Sequence, residues 1–287
     1  MTIFISQLLN GLSNSAILFL VSVGLVIIFG MMDVVNMAHG EFIMLGAYCN
    51  CVCVNMLHIP FFVSVFIAAL FSGAVGMVVE HLLIRRIYGK VAETLLVTFA
   101  LTYVFQQLIR MLFGPESQSM EEPVPGLLRV GSVAFPYYNL VLIVMAAAVL
   151  AGTLLLFFKT PYGMQLRAAT QNRSITQCLG INVANINLLT FGYGCALAGF
   201  AGALISPVKG VFPSMGTAYV VDSFLVVILG GLNSVIGSCA GAFVIDESIT
   251  LMSGYMSQIT SKLLVFVIII VLVRFRPNGL FSAKERR

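Results

Sequence analysis

Long apolar runs alternate with short polar breaks along the whole chain. The runs fall at about Phe4–Gly30, Phe42–Leu57, Phe61–Ile84, Val91–Leu112, Asn139–Phe158, Ile186–Ile205 and Tyr255–Val273. A helix needs roughly 20 apolar residues to cross a bilayer, and most of these runs are that long. The stretch Val220–Met252 breaks at Gly230–Ser234, which predicts either two short spans or a re-entrant pair of half-helices. Runs such as Leu263–Val273 do not alternate, so the other spanning architecture, a β-barrel, is excluded. The pattern predicts an all-α polytopic membrane protein with about eight membrane segments, some broken or re-entrant, in a single transmembrane domain over residues 1–287.

Composition sharpens this picture. Of the 287 residues, 60% are hydrophobic and only 9% are charged, whereas a soluble domain is about a quarter charged. The net charge of +4 reflects basic loops and not a nucleic-acid surface. Lys and Arg gather at Arg85–Lys90, at Lys159, Arg167 and Arg173, and in the tail from Arg274. Basic loops favour the cytoplasm. The loop Phe113–Tyr138, with four prolines and three acids, then lies outside. If both early runs cross, the N-terminus is outside as well. No Lys or Arg precedes Arg85, so the first run lacks a signal peptide's basic start and is read as a retained span. Cys49, Cys51 and Cys53 step by about 200° on a helix and cannot converge on one ion. They read as small apolar helix residues, with no disulfide framework.

One stretch breaks the apolar pattern. Met31–Tyr48, MMDVVNMAHGEFIMLGAY, places Asp33, Asn36, His39 and Glu41 where a span should continue. A charge at the bilayer centre costs roughly 2.5–3.5 kcal/mol, so these groups face protein, cavity water or an interface. Flanking glycines predict a helix that breaks near Gly30 and a second that starts near Gly40. Glu41 is then either a first-turn acid at a helix start or part of a polar lining with Asn36 and His39. No zinc-protease motif is present. Residues 25–41 and 225–241 also align weakly, which fits a transporter of two related halves with broken helices.

The segment Lys159–Val183, KTPYGMQLRAATQNRSITQCLGINV, is too polar to cross. Thr160 before Pro161 predicts a helix start, and Gly180 a helix stop. Periodicity leaves two readings: an amphipathic helix lying on anionic lipid, or a short helix docking into a soluble partner.

Four ordered motifs resemble a known family. They are NMAHGEFIMLGAY (Asn36–Tyr48), RAATQNRSITQCLGINV (Arg167–Val183), VVILGGLNSVIGSCAGA (Val226–Ala242) and RPNGLF (Arg276–Phe281). Together they resemble the permease subunits of ATP-binding cassette (ABC) importers for branched-chain amino acids and urea. ETLLVTFALTYVFQQLIRMLFG (Glu93–Gly114) and AYVVDSFLVVILGG (Ala218–Gly231) are most similar to the urea branch.

The resemblance implies a urea importer permease in the plasma (inner) membrane. Its alternatives are a branched-chain amino acid or short-amide importer of the same family, or a passive urea or water channel. It implies no catalytic residue, no metal and no cofactor on this chain, with ATP and Mg on partner subunits. Its expected partners are a second related permease, two cytoplasmic ATPase subunits and an extracytoplasmic solute-binding protein, with no nucleic acid. Lys159–Val183 becomes a cytoplasmic coupling loop, with Thr160, Gly163, Arg167, Ala168, Ala169, Gln171, Asn172 and Gly180 as coupling residues. Asn36, His39, Glu41, Thr98, Tyr103, Gln106, Gln107, Asp222 and Asn233 are expected to line the path of a small polar solute. A zwitterionic amino acid would instead need paired charges plus an apolar pocket, with Asp33, Glu41 and Asp222 facing Arg110 or Lys262.

Overall fold

The computed structural model describes residues 2–130, 133–232, 234–276 and 279. It is all-α apart from one hairpin. The helices are α1 (Thr2–Met32), α2 (His39–Cys51), α3 (Phe61–Leu82), α4 (Val91–Phe113), α5 (Tyr137–Lys159), α6 (Pro161–Gln171), α7 (Arg173–Cys178), α8 (Val183–Lys209), α9 (Met215–Gly230), α10 (Val235–Ser253) and α11 (Gln258–Phe275). A π-helical turn, Val52–Met56, extends α2. Strands β1 (Leu127–Val130) and β2 (Val133–Pro136) pair antiparallel, Leu128 opposite Phe135, inside the acidic loop. Proline-rich composition predicts a loop there; an antiparallel hairpin is what its backbone pairing adds.

Among the described residues, seven helices are long and apolar enough to cross a membrane: α1, α3, α4, α5, α8, α10 and α11. The helices α2 and α9 are shorter. About eight segments were expected, and the difference lies in these two. Each starts after a non-helical stretch, Asp33–Ala38 before α2 and Gly210–Ser214 before α9. Asp33 ends α1 at a φ of 55°, a left-handed conformation that Asp tolerates, and its N–H reaches the Phe29 carbonyl at 3.0 Å.

Contacts fix the two ends of the bundle. Thr170 Oγ1 in α6 donates to the Met31 carbonyl at 3.2 Å, so α1 finishes at the basic end. Gln118 in the acidic loop exchanges backbone hydrogen bonds of 2.8 Å with Val211, so α8 finishes at the acidic end. The backbone of Gly254 abuts the side chain of Gln7, which puts the start of α1 there too.

With these ends assigned, α1–α4 and α8–α11 form two inverted sets. α1 lies along α10 as α8 lies along α3; α2 packs on α8 as α9 packs on α1; α1 meets α8 and α2 meets α9. This is the inverted repeat of many transporters. It pairs the start of α2 with the start of α9, which overturns the sequence alignment of 25–41 with 225–241. That match joined two apolar runs that each lead into a break, and hydrophobicity alone made them similar. Small residues let the central helices approach closely, as membrane bundles require: Gly46 meets Gly199, and Gly24 meets Gly194.

Candidate functional site

The two half-helices meet at their starts. A side chain at Gly40 would strike the Gly216 backbone, and one at Gly216 would strike the Gly40 carbonyl. Only glycine permits this approach. Polar groups surround it. Gln106 Nε2 donates to Glu41 Oε1 at 2.9 Å and to Thr217 Oγ1 at 2.9 Å, tying α4 to the first turns of α2 and α9. His39 Nε2 meets the Val21 carbonyl at 2.9 Å, which assigns the proton to that nitrogen. Asn36 Oδ1 accepts from the Ala38 N–H at 3.1 Å. Met37 N–H donates to Thr98 Oγ1 at 3.1 Å.

Asn36, His39 and Glu41 are buried. Asn36 Nδ2, His39 Nδ1 and Glu41 Oε2 have no protein partner. Buried polar atoms in native structures are nearly always paired, and here a donor and two acceptors stand without a protein partner. Two helix starts add partial positive charge there. Glu41 is a first-turn acid of α2, as one of its two sequence readings has it, and its Oε2 lies unpartnered at the same level as Asn36 and His39.

Of the expected path residues, Asn36, His39, Glu41, Thr98 and Gln106 come together here. Tyr103 and Gln107 do not; they lie on the outward face of α4 with Val104, Leu108, Met111 and Leu112. Their position follows from helical phase, since the face carrying Thr98, Thr102 and Gln106 is the buried one. Asp222 lies apart, in an ion pair of 2.8 Å with Lys262. Asn233 falls outside the described residues. Asp33, also considered for an amino acid, is exposed at the basic end. Sequence reasoning missed Gly216 and Thr217, because they fall between the apolar runs that end at Ile205 and resume at Val220. A glycine four residues beyond a phenylalanine-proline break was the available signal.

At the basic end the segment Lys159–Val183, expected from the resemblance to couple to an ATPase, holds two helices and not one. Asn172 ends α6 and its side chain accepts from the Ile175 N–H, capping α7. Gly180 follows at a φ of 79°, as a terminal glycine should. Thr160 caps α6 by accepting from the Gly163 N–H at 3.2 Å.

The segment is held on several sides. Gly163 sits against the α5 backbone at Leu156 and Phe157. Tyr162 hydroxyl bonds Thr190 Oγ1 of α8 at 2.7 Å, and burial pushes the Tyr162 pKa up, so it stays a neutral phenol. Arg167 lies 5.0 Å from the Phe158 ring centroid, and Arg173 5.2 Å from that of Tyr88. Leu166 is buried, Ala168 and Ala169 are half-buried, and Gln171 and Asn172 are exposed. Met164 is exposed along with Ile175 and Leu179. Among the described residues, no three His, Cys, Asp or Glu side chains gather as a metal site.

A family pattern described as branched-chain amino acid transport system / permease component matches residues 7–273. The chain is 26% identical to the high-affinity branched-chain amino acid transport system permease protein BraD of Pseudomonas aeruginosa, over 98% of this chain and 97% of that one. It is 25% identical to the corresponding LivH protein of Salmonella typhimurium, over 98% and 96%. It is also 25% identical to a probable branched-chain amino acid transport permease protein LivH of Methanocaldococcus jannaschii, over 93% and 89%. No solved structure matches the chain.

Proposed function

We infer the function from one premise: the chain belongs to the branched-chain amino acid transport system permease family. It is, we propose, a membrane-spanning subunit of an ABC importer in the plasma (inner) membrane, carrying branched-chain amino acids. ATP hydrolysis belongs to two cytoplasmic ATPase subunits. A second related permease and an extracytoplasmic binding protein complete the assembly. The names of the relatives back amino acids better than urea, so the urea branch resemblance becomes the second reading. Its support is the neutral amide and hydroxyl chemistry around Gln106.

The observation that carries the coupling role is the α6–α7 segment. It presents exposed Met164, Ile175 and Leu179 while touching α1, α5 and α8 from the inside. A docked ATPase pulling on it would act on the ends of three spans at once. The last residue but one of α1 that it grips, Met31, leads directly into the broken stretch before Glu41. The test is the ATPase rate of the reconstituted complex with leucine or urea, each with its binding protein. Leucine is expected to stimulate; stimulation by urea alone would reverse the choice. Solute flux through the purified chain without ATP or partners would replace the importer by a channel.

A further inference from the structure

We propose that the cavity between α1, α9, α10 and α11 at the acidic end binds an aliphatic α-amino acid as a zwitterion. This deepens the importer reading and rests on it. The cavity has a volume of about 340 Å³, within the range of small-molecule sites. Its rim includes Lys209, the last residue of α8, and Gln258, the first of α11. It therefore opens at the end opposite α6 and α7, where a binding protein would deliver solute.

Four charged side chains line this one space: Asp222, Asp246, Lys209 and Lys262. In a chain only 9% charged, two partly buried acids side by side are costly without a purpose, while Lys209 is exposed at the mouth and Lys262 is partly exposed. Only half of the set is satisfied internally. Lys262 Nζ bonds Asp222 Oδ2 at 2.8 Å, while Asp222 Oδ1 is buried with no protein partner. Asp246 and Lys209 make no ion pair with each other or with any described residue. An ammonium received by Asp246 and Asp222 Oδ1, together with a carboxylate received by Lys209, would complete the set with no net charge added.

The rest of the wall is aliphatic. Ile245 and Ile249 come from α10, and Ile17 and Leu18 from α1. A branched side chain fits against them. Urea donates N–H groups to a carboxylate but offers no anion for Lys209 and no apolar group for the aliphatic wall.

Phosphatidylethanolamine carries the same pairing of ammonium and oxyanion, and the experiment separates the two sources. Labelled leucine is bound to the purified complex of both permeases and the ATPase subunits, free of the binding protein, in phosphatidylcholine nanodiscs, then challenged with leucinol, which lacks the carboxylate, and 4-methylpentanoate, which lacks the ammonium. Unlabelled leucine should compete fully. Each analogue should compete roughly 10- to 100-fold more weakly, the scale of one lost charge-assisted hydrogen bond. Asp246→Asn and Lys209→Gln should each weaken leucine binding by a similar factor, while size-exclusion profiles report an intact complex. Should leucine stimulate the ATPase yet bind both variants as it binds wild type, the cavity site is wrong and the importer reading survives. A complex that ignores leucine altogether removes the amino-acid reading instead. Leucine binding abolished by phosphatidylethanolamine nanodiscs but insensitive to both variants would assign the cavity to lipid and overturn the proposal.

Discussion

The two halves of the inverted repeat share one scaffold but divide the polar chemistry between them. In α1–α4 the outer helix α4 joins the half-helix α2 through neutral amide and hydroxyl groups, Gln106 to Glu41 and Thr98 to Met37. In α8–α11 the outer helix α11 joins the half-helix α9 through an ion pair, Lys262 to Asp222. The breaks differ as well. The first lies beside α6, which holds Met31. The second lies under the acidic loop, which holds Val211. One break is thus tied to the basic end and the other to the acidic end, and the two half-helices they release meet at Gly40 and Gly216.

That meeting point is where the halves should be most alike, so breaking it should cost most. Gly40→Val and Gly216→Val each force a side chain into opposing backbone. Overpacking of this kind costs about 1–3 kcal/mol, occasionally more. Both variants are expected to give little folded protein, read as recovery of monodisperse complex in detergent. A strong loss from one glycine and none from the other would show that the halves do not support each other symmetrically.

Next in size is the neutral link of the first half. Gln106→Leu leaves Glu41 Oε1 and Thr217 Oγ1 unpaired at a buried level. Orphaning buried groups costs about 1–3 kcal/mol, so the thermal midpoint of the complex should fall by several degrees, with solute affinity changed less. Lys262→Met in the second half should do the reverse. The Lys262 side chain is 41% exposed, so solvent absorbs much of its loss in stability, and the effect should appear in solute binding. Equal thermal penalties from the two variants would erase the contrast between a structural link and a solute-facing one.

What was legible in the sequence follows the range of the forces involved. Helix starts governed by adjacent residues came through: Thr160 before Pro161 caps α6 as its chemistry dictates. The break between α1 and α2 was visible because Asp33 and Asn36 interrupt an apolar run. The split at Asn172 was not visible, since one capping asparagine inside a helical pattern is a weak signal until the chain folds back on α8. The Gly40–Gly216 contact was invisible for a stronger reason. It depends on two segments far apart in sequence crossing at backbone distance, and a glycine announces freedom without naming its neighbour. The pairing of Asp222 with Lys262 was half legible, because Lys262 was one of only two cations near span depth that could oppose an acid. The outward position of Tyr103 and Gln107 was set by the phase of α4, which an apolar helix does not reveal.

The first break is connected to the α6–α7 segment through Thr170 and Met31. Thr170→Val removes the hydroxyl that reaches Met31 while keeping the shape of the side chain. The lost hydrogen bond is worth about 0.5–1.5 kcal/mol. Complex assembly should persist, and leucine-stimulated ATPase activity should drop several-fold while the unstimulated rate changes little. An unchanged ratio of stimulated to unstimulated rate would mean that α6 acts through α5 and α8 alone.

The smallest effect is expected at Arg167, and it separates docking from coupling. Arg167 lies over Phe158 at 5.0 Å from the ring centroid, and its Nε also donates to the Gly163 carbonyl at 3.3 Å. Both contacts fasten α6 to its own start and to α5; neither reaches α1. Arg167→Lys keeps the charge but loses the flat guanidinium that stacks on the ring, a change of about 0.5–1 kcal/mol at a half-exposed site. The affinity of the complex for its ATPase subunits should weaken by only a few-fold, measured by pull-down across a titration. The ratio of stimulated to unstimulated ATPase rate should stay as in wild type, unlike in Thr170→Val. If Arg167→Lys lowered that ratio and left ATPase affinity alone, the division of labour would be inverted, with the α5 side of α6 carrying the signal and the Met31 contact serving only to hold the helix.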